Sequence, residues 1–205
     1  DHDKSHSLKR ALEIVEEYEG IFEEPKESKD AHRSGSSGSW RSSFIRAPYL
    51  RESFTRRGII QDTFETAITW DKSHKFIENI KEQAAKAILE ITGKPSLITC
   101  RITHSYPDGL APYFTFGAFS TPQSMIEIWK EIKLATNEIC IANQGTVTHH
   151  HAVGRDHRPK GYDDQRPDLF NKVLVAAKSS LDPKGIMNPG VLIDPEGKNI
   201  SNWMA

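Results

Sequence analysis

The chain has 205 residues, 37% of them hydrophobic, which is enough to bury a core. Its 27 lysines and arginines against 28 acidic residues leave a formal charge of −1, which excludes the global basic field of a nucleic-acid binder. No apolar run approaches the roughly 20 residues that cross a bilayer, and two cysteines, Cys100 and Cys140, are too few for a disulfide framework, so a reducing, cytoplasmic setting is expected.

Behind Ser7, the positions Leu8, Ala11, Leu12, Val15 and Tyr18 recur at helical spacing. No strand precedes that helix, so the chain reads as starting partway through a fold. Residues 23–39 end in S-G-S-S-G-S and are expected to form a mobile loop. Residues 40–58 mix aromatics with arginines and are broken by Pro48. From Ile59 to Trp70 the pattern alternates, with Phe64, Ile68 and Trp70 on one face, predicting a strand. Asp71 then caps a helix whose stripe is Phe76, Ile77, Ile80, Ala84, Ala87, Ile88 and Ile91. Two β runs, S-L-I-T-C-R-I-T-H and L-A-P-Y-F-T-F-G-A-F, flank the turn sequence S-Y-P-D-G and predict a hairpin. Pro122 opens a further helix carrying Met125, Ile128, Trp129, Ile132, Ala135 and Ile139 up to Asn143. The run G-T-V-T-H-H-H is read as a short strand, and a last helix spans about Arg166 to Leu181 before D-P-K-G-I-M-N-P-G forces a turn.

This order predicts an α+β protein with helices on one face of an antiparallel sheet. One more strand at the front would make it ferredoxin-like, β-α-β-β-α-β. The chain divides into residues 1–165, with the mobile loop near 23–39, and a C-terminal helix and tail over 166–205.

The residues that raise a chemical question are His149, His150 and His151. On a strand the first and third would point one way and the second the other, and two histidines at i and i+2 are a legitimate metal pair. A third ligand would be needed, and His104 or Asp156 could serve, though no spacing requires either. Solvated histidines at a strand end are the plainest reading. It is weakened by G-R-D-H-R-P, which adds Arg155, His157 and Arg158, with Lys160 close behind: clustered cations and a glycine suit an anion such as phosphate. Histidine also moves protons near neutral pH, so an enzyme site is the sharper expectation. Arg101 on one hairpin strand is a candidate ligand clamp. Tyr113 on its partner is a candidate acid or base, or a strand aromatic at a core edge. Composition alone does not separate Arg51 from Arg46 or Arg56.

The segments P-Y-L-R-E (48–52), E-T-A-I-T-W (65–70), C-R-I-T-H-S-Y (100–106), Y-F-T-F-G-A-F (113–119), T-H-H-H-A-V-G (148–154) and D-P-K-G-I-M-N-P-G (182–190) occur in the order seen in one known family. Together they resemble the C-terminal, FAD-linked oxidase half of alkyldihydroxyacetonephosphate synthase and its bacterial relatives, in the vanillyl-alcohol-oxidase superfamily. The closing D-P-x-x-I-x-N-P-G is the most widely shared of these motifs.

The resemblance implies an ether-lipid enzyme that exchanges the acyl group of acyl-dihydroxyacetone phosphate for a fatty alcohol, with FAD acting without net redox change. It implies Tyr113 as the acid/base, Arg51 on the substrate phosphate, and His149, His150 and His151 as active-site residues in place of metal ligands, while Arg101 and Arg155 stand beside these as further candidate substrate contacts. His150 and Asn188 would stand beside the flavin. The implied partners are the FAD-binding half of the same enzyme and a phosphorylated lipid, with a membrane surface and a second copy in a homodimer left open. The eukaryotic enzymes carry glycine where this chain has Ala152 and lysine where it has Arg155, so the substrate can differ. No glycine-rich segment is placed to cradle a pyrophosphate, so FAD is expected to be held mainly by the other half, and this chain alone is expected to be inactive. The alternatives are an FAD-linked hydroxy-acid or alcohol oxidoreductase and a ferredoxin-like module that binds an anion or a metal.

Overall fold

The computed structural model describes residues 5–22 and 35–198. Its residues fall into two compact units, 1–48 and 49–205. The first contains helix α1, Ser5–Glu17, on which Arg10 bridges Glu13 and Glu17. Helix α2, Gly35–Thr55, runs across the boundary between the units, which falls at Pro48 inside it. A proline there removes one intrahelical hydrogen bond. The loop expected over 23–39 lies outside the described residues as far as 34, and its last five residues belong to α2 instead. Serine and glycine are tolerated in the first turn, where the backbone N–H groups have no helical partner to lose.

The second unit is mixed α+β. A four-stranded antiparallel sheet is formed by β1 (Ile59–Glu65), β2 (Ile68–Thr69), β3 (Leu97–Ser105) and β4 (Gly109–Phe119). Strand β4 is central: β1 and β2 follow one another along one of its edges, and β3 pairs with the other as the expected hairpin. Helices α3 (Ser73–Thr92) and α4 (Met125–Ala142) cover one face. A one-turn helix α5 (Asp163–Gln165) and helix α6 (Asp168–Leu181) follow.

The core follows from the two periodicities. In α3, Phe76, Ile80, Ala84 and Ile88 repeat every four residues and are all buried, and Gly93 ends the helix in the left-handed conformation at φ 67°. In β4, Leu110, Pro112, Phe114, Phe116 and Ala118 alternate onto the helical face, where Phe114 stacks on Phe64 at 4.9 Å. Ile132 and Cys140 of α4 close the layer, and complete burial pushes the Cys140 thiol up to about 12. The polar residue Asp62 also faces α4. Its half-buried carboxylate accepts from Trp129 Nε1 at 2.6 Å.

One predicted element is absent. Residues 145–151 form no strand. The segment lies beside the break between β1 and β2, but its one backbone bond there, Thr146 N–H to Ala67 O, is surrounded by side-chain bonds. Thr66 Oγ1 donates to Thr146 O, Thr146 Oγ1 accepts from Ala67 N–H, and Gln165 bonds both Gly145 and Val147. With side chains holding these groups, no ladder extends. Gly145 is where this segment leaves α4, and a Cβ there would sit 2.5 Å from the Phe76 ring and 2.7 Å from Thr66 Oγ1.

Candidate active site

Strand register places the first members of the site. Glu65, Tyr113 and Arg101 are directly opposite one another across β1, β4 and β3, so all three project from the face away from α3 and α4. Arg101 stacks over the Tyr113 ring at 4.6 Å, and the Tyr113 hydroxyl donates to Thr63 Oγ1 at 3.2 Å.

The histidine segment bends over the end of β1, and Glu65 is the reason. The carboxylate is almost wholly buried, at 2% exposure. Its Oε1 accepts from the Thr148 hydroxyl at 2.9 Å and from three successive backbone N–H groups, of His149 (2.5 Å), His150 (2.7 Å) and His151 (3.1 Å). Three consecutive N–H groups aimed at one point form a curved anion-binding nest, the opposite of strand geometry, in which successive N–H groups alternate sides. The strand-like separation of His150 from its neighbours is therefore replaced by a cluster. His150 lies 4.5 Å from His151 and 4.8 Å from His104 by ring centroids, and Tyr113 lies 5.4 Å from His151 and 6.2 Å from His150. Tyr106 O–H stands 3.1 Å from His149 Nε2. Burial pushes the Glu65 carboxyl up, but the N–H bonds from His149 and His151, the Thr148 hydroxyl and the nearby His150 outweigh it and hold it below the ordinary carboxylate range.

The nest ends at Ala152, which has φ 62°, a left-handed conformation that costs a residue with a Cβ about 1 kcal/mol. Ala152→Gly is therefore expected to stabilise the chain by about 1 kcal/mol, raising Tm by about 2–4 °C in a thermal melt. A lowered Tm would show that unfolded-state entropy outweighs the relieved strain.

The other candidate residues are placed elsewhere. Arg51 approaches Asp62 at 3.8 Å, on the face of β1 that α4 covers. Arg155 donates from Nε and Nη2 to the Pro189 carbonyl at 3.0 and 2.7 Å, which brings it beside Asn188, a turn residue at φ 47°. The expected cluster of anion-binding cations is largely paired within the protein. Arg158 is buried between Asp163 and Asp194, and Lys160 bonds Glu138. The N–H of Gly154, the glycine expected to suit an anion, donates to His157 Nδ1. Sequence reading missed Glu65 and Tyr106. Glu65 ends the predicted strand, but Asp62 lies on the same strand, and nothing in the sequence singles out one acid over the other.

For a metal, the described residues that fit are His104, His149 and His150, whose ligand atoms lie within 4.8 Å of one another. For a flavin, the exposed side of His150 and the Tyr113 and Arg101 pair offer contacts to a reactive ring only. The same sheet face continues away from Tyr113 as an apolar groove of about 290 Å³, lined by Phe54, Ile59, Leu97, Thr115, Gly117 and Phe119.

Residues 3–192 match the family of FAD-linked oxidases, C-terminal domain. The chain belongs to that family. It is 30% identical over 156 residues to alkyldihydroxyacetonephosphate synthase of Trypanosoma brucei brucei, covering 75% of this chain and 25% of the relative. It is 32% identical over 148 residues to the protein of the same name from Caenorhabditis elegans, covering 71% of this chain and 25% of the relative. The chain thus spans about a quarter of the length of these relatives. A solved structure of alkyldihydroxyacetonephosphate synthase superimposes with a TM-score of 0.53 at 20% identity, covering 89% of this chain and 34% of the other, which shows a shared fold.

Proposed function

We propose that this chain is the substrate-binding and catalytic C-terminal part of a FAD-dependent alkylglycerone-phosphate synthase-like enzyme. The reaction replaces the acyl group of acyl-dihydroxyacetone phosphate by a fatty alcohol: the carbon–oxygen bond to the acyl group breaks, fatty acid leaves, and an ether bond to the alcohol oxygen forms. The observation that carries the reading is the single sheet face on which Tyr113, Arg101 and the histidine cluster stand at one end of an apolar groove. A substrate with an anionic head and a long chain needs that combination.

Tyr113 is positioned to take and return the substrate proton, its hydroxyl held by Thr63. Arg101 is better placed for the phosphate than Arg51, since it shares the face with Tyr113. His150 and His151 flank the reacting group, and the groove takes the chain. FAD, when bound, would supply an electron-accepting ring beside the substrate carbon at which the exchange occurs. Helix α6 has no buried residue, and Leu169, Phe170, Val173 and Leu181 are all exposed, as are Ile186 and Met187 in the tail. This apolar stripe suits docking against the FAD-binding half that the relatives' greater length provides. No helix among the described residues is long and apolar enough to cross a membrane.

Two measurements test the reading. This chain mixed with FAD is expected to show no saturable quenching of flavin fluorescence in the micromolar range; saturation there would mean the cofactor site is complete without the other half. The full-length enzyme, given acyl-dihydroxyacetone phosphate and a fatty alcohol, is expected to release fatty acid and finish with its flavin oxidised. Bleaching of the flavin by a hydroxy acid, with no exchange, would replace this reading with that of an oxidoreductase.

A further inference from the structure

The geometry points to a divalent-metal site formed by His104, His149, His150 and Glu65, of the kind that takes zinc. His149 and His150 present their Nδ1 atoms to each other at 3.3 Å. Glu65 Oε2 is buried without a hydrogen-bond partner, and it lies 2.8 Å from His150 Nδ1 and 3.6 Å from His149 Nδ1. Four ligands held about 2.0–2.1 Å from a zinc ion stand about 3.3 Å from one another, so these three atoms already occupy three corners of such a tetrahedron to within about half an ångström. The nest holds Oε1, which fixes the second oxygen among the histidines. A cation between that oxygen and the two nitrogens satisfies a buried carboxylate that is otherwise left unpartnered on one side.

His104 supplies the fourth corner. The ligand atoms of the three histidines lie within 4.8 Å of one another, and a side-chain rotation of His104 closes the remaining gap. Its Nδ1 meets Thr103 Oγ1 at 3.1 Å, which leaves Nε2 for the ion, and His149 Nε2 meets the Tyr106 hydroxyl at 3.1 Å. The nitrogen that each of these rings turns away from the ion thus has an oxygen partner, the arrangement that orients metal-binding imidazoles. His150, with its side chain 38% exposed, leaves a path for entry. Three imidazoles and one carboxylate suit zinc; calcium and magnesium take oxygen ligands and do not fit. The site does not rest on the alkyl-exchange reading, but it bears on it. An ion there engages the His150 ring set beside the reacting group, so zinc is expected to inhibit exchange in the full-length enzyme, and a chelator to restore it.

The test is a zinc titration of the 205-residue chain, stripped with a chelator and desalted, against a chromophoric competitor. One zinc per chain is expected to bind with a Kd of about 1 µM or below, undisturbed by calcium or magnesium. The chain has nine histidines, so variants must locate the ion. His104→Gln is expected to weaken binding by about 10²-fold and Glu65→Gln by about 10-fold or more. In Glu65→Gln the amide oxygen still serves the nest while the amide nitrogen cannot ligate. His104 lies outside the nest, so His104→Gln decides the matter even if Glu65→Gln fails to fold. Wild-type binding weaker than about 100 µM overturns the site. Unchanged affinity in His104→Gln puts the ion on other histidines and overturns it too. In the full-length enzyme, inhibition by zinc that His104→Gln relieves supports the site at the proposed chemistry. Zinc bound with these variant effects but without inhibition leaves the site standing and removes His150 from the alkyl-exchange reading.

Discussion

Tyr113→Phe in the flavin-loaded, full-length enzyme is expected to lower kcat by about 10²–10⁴-fold and to leave the fold intact. The substitution deletes one oxygen from a half-buried side chain. The ring remains to stack beneath Arg101 and to meet the His151 edge, so the packing on this sheet face is kept. The lost hydrogen bond to Thr63 Oγ1 is a neutral one at 3.2 Å, worth about 1 kcal/mol, and Thr63 keeps access to water. If Tyr113 transfers the proton, the loss falls on the transition state alone, so kcat and kcat/KM fall together while KM holds. Thr63→Ala gives the comparison, because it removes the hydroxyl's partner and leaves the phenol. A small loss for Thr63→Ala beside a large one for Tyr113→Phe identifies proton transfer. Equal losses would reduce Tyr113 to a strand aromatic held in place by its neighbour, the alternative its sequence position also allows.

Much of this arrangement was legible in the residues themselves. The stripe of α3 and the alternation of β4 are repeats of 3.6 and 2, and the burial of Phe76, Ile80, Phe114 and Phe116 reproduces them. The P-D-G turn fixed the hairpin, and hairpin register then placed Tyr113 beside Arg101. The histidine run could not be read in the same way. Its pattern, G-T-V-T-H-H-H, satisfies every local rule for a strand. What bends it is Glu65, more than eighty residues earlier in the chain, whose single oxygen collects N–H groups that a strand would point to opposite sides. Local propensity carries no information about a partner so distant. The basic loop shows the same limit. Arginines that look available for an anion in sequence prove to be held by Pro189, Asp163 and Asp194, because burial of a guanidinium demands such partners.

The Arg158 pairing carries the largest expected effect on stability. Arg158 is 6% exposed, with Nη1 at 2.8 Å from Asp194 Oδ2 and Nε at 3.2 Å from both Asp163 oxygens. Burial works against its charge, but the bonds to Asp194 and Asp163 outweigh it and raise its already high pKa, so it is always charged. Asp194 Oδ1 in turn accepts from Gly190 N–H, and Arg166 bonds Asp163. The network thus fastens the tail at 190–194 to the segment at 158–166. Arg158→Met keeps the stem volume and removes the charge, leaving Asp194 buried without its cation. Breaking a buried pair from one side costs about 3–5 kcal/mol, which at this size lowers Tm by about 10 °C. Asp194→Leu alone leaves Arg158 with Asp163 and costs less. The double variant, Arg158→Met with Asp194→Leu, removes both charges of that pair and is expected to recover part of the loss, a positive coupling in a double-mutant cycle read by denaturant melts. Additive losses would mean that Arg158 is held by Asp163 and the Gly190 carbonyl, with Asp194 serving only its bond to Gly190. Recovery means that the two charges exist for each other. The positions of Arg155, Pro189 and Asn188 would then depend on a buried ion pair that lies apart from the proposed chemistry.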